Sequence, residues 1–127
     1  MTERHPYQYV VLRCVPRVDR EEFVNVGVVL FCQELDYLDV SWHCRAERLH
    51  ALDPGLDVDR VCEALTFVDG VCAGDERGGS IGHRSLSQRF GFLKAPRSTV
   101  VQPGPVHGGV TEDPAAELGR LRTTLVD

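Results

Sequence analysis

Between Phe23 and Cys32 (FVNVGVVLFC) one polar side chain, Asn25, interrupts an otherwise apolar run. The run falls far short of the ~20 residues that span a bilayer, and it is rich in valine. It therefore predicts a central strand covered on both faces. That cover comes from the chain's own helices or from a second chain.

Tyr7–Val15 (YQYVVLRCV) is rich in aromatic and β-branched residues and stops at Pro16, which predicts another strand before the polar connection PRVDREE. A turn near Gln33–Asp36 leads to a third strand over Tyr37–Cys44, forming a hairpin with the second. An antiparallel meander is the simplest arrangement of the three. Asp57 is placed to cap a helix over Val58–Cys72, where Val58, Val61, Leu65, Val68 and Cys72 recur at three- and four-residue steps. Gly74–Gly79 reads as a mobile loop. Ser85 heads a short helix in which Leu86, Phe90 and Leu93 line up, and Asp113-Pro114 starts a last one buried through Leu118, Leu121 and Leu125. Arg97–Val101 and Pro105–Val110 look extended, and the prolines around them limit these segments to an edge strand or ordered loop. The expected class is α+β: an antiparallel sheet of about three to five strands with two or three helices packed on one side.

A length of 127 residues predicts a single domain over residues 1–127, burying about two-thirds of the surface exposed when unfolded. Met1–Tyr9 lacks the apolar core of a signal peptide, so the cytoplasm is the expected compartment. The five cysteines form no C-x-x-C pair and sit in apolar patterns, which predicts reduced, buried thiols.

Charge is segregated. From Arg77 to Thr111 there is no Asp or Glu, although the chain carries a net charge of -5. Arg77, Arg84, Arg89, Lys94 and Arg97 fall in that window with His83 and His107, which favours an anion-facing surface. Arg97-Ser98-Thr99 sets a guanidinium beside two hydroxyls, a group able to hold phosphate or carboxylate, and His107 follows the Pro-Gly-Pro turn. Arg13 and Asn25 lie inside the two most apolar strands, where each needs a partner or an open pocket. They line a ligand cleft approached through Gly27, or else Arg13 pairs with Glu21 or Glu22 and Asn25 satisfies a bulge. Trp42-His43-Cys44 with His50 matches no zinc-site spacing, and no phosphate-binding glycine motif is present. No cofactor, metal or catalytic residue is expected. Few aromatic residues interleave with the basic ones, which argues against extended DNA binding.

Several strings resemble the bacterial family catalogued as domain of unknown function 3037. They are Tyr9–Pro16, EFVNVGVVLF at Glu22–Phe31, RLHALD at Arg48–Asp53, Arg89–Pro103, PVH at Pro105–His107 and Asp113–Leu118, closest to actinobacterial members. The resemblance covers nearly the whole chain and falls on Arg13, Asn25, Arg48, Arg89, Arg97, Ser98 and His107. It implies no defined activity. The genomic context of the family implies a companion subunit or modulator of a HipA-like kinase. The leading expectation is thus a non-enzymatic interaction module contacting a protein partner through the basic window. The second is a small-anion or nucleotide-phosphate site built from Arg13, Asn25, Arg97, Ser98 and His107. The third is a hydrolase or nuclease using Glu22 and His107.

Overall fold

The computed structural model describes residues 3–127 and shows an α+β fold built on a five-stranded antiparallel sheet. β1 (His5–Cys14), β2 (Val24–Cys32) and β3 (Tyr37–Trp42) form the expected meander. β4 (Val101–Pro103) and β5 (His107–Thr111) both pair with the free edge of β1, at its C-terminal and N-terminal ends respectively. Two short strands share one edge because Pro103 and Pro105 cannot donate to a continuous ladder. Between them, the Gly104 amide donates to the Val11 carbonyl (2.8 Å) and keeps the joint on the sheet.

β2 is apolar on both sides because both sides are covered. Val29 and Phe31 join Val10 and Leu12 in a core beneath α2 (Val58–Ala73) and α3 (Leu86–Lys94). Val28, Leu30 and Cys32 join Tyr7 in a second core closed by Leu118 and Leu121 of α4 (Pro114–Leu125). The expectation that all helices lie on one side is therefore corrected: α4 crosses to the opposite face. Burying both faces of a strand with seven buried residues in succession, Val26–Cys32, needs apolar cover from two directions.

Local capping follows side-chain chemistry. Asp57 caps α2 through the Asp59 amide, Ser85 and Gln88 close a reciprocal box at α3, and the Asp113 carboxylate accepts from the Ala115 and Ala116 amides ahead of Pro114. The short helix α1 (Ala46–Leu52) was not anticipated; it has no side-chain cap and buries only Leu49. The region read as a mobile loop is instead a run of 3-10 turns, Glu76–His83, packed against α2. Gly70 and Gly78 make this possible, since a Cβ on Gly70 would stand 2.5 Å from the Gly78 nitrogen. No described helix is long and apolar enough to cross a membrane.

Candidate functional site

The register of β1 and β2 slips between Leu12↔Gly27 and Arg13↔Asn25, leaving Val26 as the extra residue. Beyond the slip, Arg13 projects from the face that carries Tyr7 and Tyr9, beside Gln102 of β4. α4 covers this face over β2 and β3. Over β1, β4 and β5 a strip remains with half-buried Tyr9, Val11, Arg13 and Gln102 and exposed His107. Tyr9 and His107 stack with ring centroids 5.2 Å apart.

At one end of the strip the Arg13 guanidinium lies 4.2 Å above the centre of the Phe23 ring. On its other side stands the Gly104 backbone, where an added Cβ would come within 3.1 Å of the guanidinium. Val15, Val18 and Glu21 complete the walls of an open cavity of about 380 Å³. Val18 and Phe23 are 55% and 44% exposed, which makes the rim apolar. Four arginines are half-buried: Arg13, Arg89, Arg97 and Arg122. Arg89 and Arg97 donate to backbone carbonyls and Arg122 pairs with Asp127, whereas Arg13 has no hydrogen bond or ion pair among the described residues. Its Nε is shut off from solvent without an acceptor. The pairing of Arg13 with Glu21 or Glu22 is thus not observed, and Glu22 is bound instead to Arg20.

The other residues singled out in the sequence go to separate places. Asn25 donates to the Leu125 carbonyl (3.0 Å) and Arg48 to that of Val126, so both tie down the C-terminal end of α4. Arg89 donates to the Val71 and Cys72 carbonyls (both 2.9 Å) and holds the end of α2. Arg97 donates to the Phe92 carbonyl and stacks on its ring at 4.6 Å, closing α3. Ser98 is exposed. Gly27 does not admit a ligand; a Cβ there would meet the Trp42 Cβ at 2.9 Å, so the glycine serves the β2–β3 approach.

The five-residue anion site is therefore not assembled. His107 lies with Tyr9 on the α4 face, and Arg97 lines a cleft with Leu12 and Val101 of the opposite core. Nor does the basic window form one outward patch, because Arg89 and Arg97 turn inward and Arg77 pairs with Asp75. Glu22 and His107 cannot share a substrate atom: Glu22 lies just ahead of β2, whose first residue Val24 meets β1 at Cys14, whereas His107 meets β1 at Tyr9, about 16 Å away along the strand. Trp42, His43 and His50 are bonded to Asp69, Asp127 and the Leu56 carbonyl, and no cluster of metal-ligating side chains occurs among the described residues. Burial pushes the Cys14 thiol up to about 11 and the Cys44 thiol up to about 12, which leaves both poor nucleophiles at neutral pH. The sequence pattern marks Phe23 and Gly104, the two jaws on Arg13, only as a strand start and a turn glycine. Each flanks a strand that pairs with β1 beside Arg13, and no sequence pattern marks that proximity.

Across residues 9–126 the chain matches a family described as a protein of unknown function (DUF3037), and it belongs to that family. No curated protein and no solved structure matches it.

Proposed function

We propose that this family member is a binding module without chemistry of its own, engaging a protein partner through the strip over β1, β4 and β5. Arg13 receives a carboxylate of the partner, while Phe23 and Val18 take the apolar residue beside it. The observation that carries this reading is the unpaired, half-buried guanidinium of Arg13, stacked on Phe23. A guanidinium so held has lost part of its hydration and most of its rotamer freedom before any partner arrives. A planar carboxylate restores its hydrogen bonds at little further entropic cost.

The HipA-like kinase suggested by the family's genomic context is the first partner to test. Titration calorimetry should show wild-type protein binding it and Arg13→Met binding at least tenfold more weakly, a loss of about 1.4 kcal/mol. Arg84→Glu and Lys94→Glu, both exposed in the basic window, should change affinity little. The reverse pattern, with Arg13→Met binding as wild type and Arg84→Glu abolishing the complex, moves the contact surface to the window. Absence of any complex removes this kinase as the partner.

A further inference from the structure

On the face opposite Arg13, a cleft of about 190 Å³ opens between α2, α3 and β4. Ala64 and Phe67 form one wall, Leu93 and Val101 the other, and Leu12 of β1 the floor. The lining is mainly apolar. Its polar lining is Thr99, whose hydroxyl is spent on the Val101 carbonyl (2.7 Å), and half-buried Arg97, fixed in direction by the Phe92 carbonyl and ring. No carboxylate lies within ion-pair distance of that guanidinium among the described residues, and Nε reaches the Ala95 carbonyl only at 3.5 Å. An apolar recess thus ends at an oriented cation that lacks a counter-ion.

We propose that this cleft binds a small amphipathic monocarboxylate, its apolar body against Leu12 and Leu93 and its carboxylate on Arg97. Size sets the class. A cavity of about 150 Å³ accommodates a benzene ring, so the slightly larger cleft suits an arylacetate or a chain of about eight carbons. Apolar walls with one converging charge are the usual composition of a small-molecule site. A phosphate or nucleotide fits poorly, because a single guanidinium above an apolar floor leaves most of its oxygens without donors.

Thermal denaturation of the full chain tests this with phenylacetate and octanoate against phenylacetamide and acetate. The two amphipathic acids should raise Tm by roughly 5 °C at ligand tenfold above Kd. The neutral amide and the acid without an apolar body should leave it unchanged. Ala64→Phe, which fills the cleft and keeps the Arg97 contacts, should abolish the response. Arg97→Gln should weaken binding at least tenfold, and Arg13→Met should not alter it. Equal shifts from phenylacetate and phenylacetamide, no shift from either acid, or a response that survives Ala64→Phe would overturn the proposal. A response lost in Arg13→Met would also overturn it, by assigning the carboxylate to the other face. The kinase titration is independent of each of these results.

Discussion

Arg13 and Arg97 are both half-buried arginines stacked on phenylalanine, yet their environments predict opposite mutational outcomes. Arg97 satisfies the Phe92 carbonyl, so Arg97→Met should orphan an acceptor and cost about 1–2 kcal/mol in chemical denaturation. Arg13 satisfies no acceptor among the described residues. Arg13→Met should leave stability unchanged or raise it by up to about 1 kcal/mol, since a partly desolvated charge gives way to an apolar side chain on the same ring. A clear loss of stability in Arg13→Met would mean that the guanidinium has an intramolecular partner after all. Arg13 stands out in the sequence as a cation inside an apolar strand, and Arg97 as a guanidinium beside two hydroxyls. Whether such a side chain meets a carbonyl or an open cavity depends on strands distant in sequence, and residue type does not report that.

Among the elements, α4 shows how polar contacts place an apolar helix. Leu118 and Leu121 supply burial, while Asn25 and Arg48 bind the last two carbonyls from β2 and α1. Asn25→Ala and Arg48→Ala should each cost about 1 kcal/mol and speed amide exchange in the last turn of α4 before any other element. At the other end, the Tyr7 hydroxyl donates to Glu117 (2.6 Å), with room for the tyrosine made by Gly109. The Arg120 guanidinium, and secondarily the Tyr7 hydroxyl, hold the Glu117 carboxyl below its ordinary value of 4.5. A depressed folded-state pKa stabilises above the unfolded value and loses that contribution as pH falls through the folded one. The Tm difference between wild type and Glu117→Gln should therefore be flat from about pH 5 to 8 and close on the acid side of the carboxylate range. A difference that persists unchanged into acid would contradict this. Gly70→Ala should cost about 1–3 kcal/mol, because the 3-10 segment cannot withdraw without unpacking from α2. Strands and capped helices were legible because valine runs, prolines and Asp or Ser caps act locally. α1 was not, with one buried residue and no cap, and neither was the side taken by α4. An all-apolar strand signals cover on both faces without saying which helix provides it.

For the whole molecule, charge segregation along the chain does not become segregation in space. Three of the five cations between Arg77 and Thr111 are engaged by Asp75 or by carbonyls. The proposed binding surface follows from incomplete cover: the four α-helices among the described residues cover one face of the sheet and only part of the other. The remaining strip ends in Arg13 between Phe23 and Gly104. The most direct measurement is the Arg13 Nε–Hε resonance in ¹⁵N-labelled protein, followed while acetyl-Leu-Asp-Leu-Asp-amide is added. A saturable shift of this signal, absent with the corresponding Leu-Asn-Leu-Asn peptide, is predicted, while the signals of Arg89 and Arg122 stay in place. A signal indifferent to the acidic peptide, or one displaced in the free protein by Glu21→Gln, would show that the guanidinium is not awaiting a partner's carboxylate.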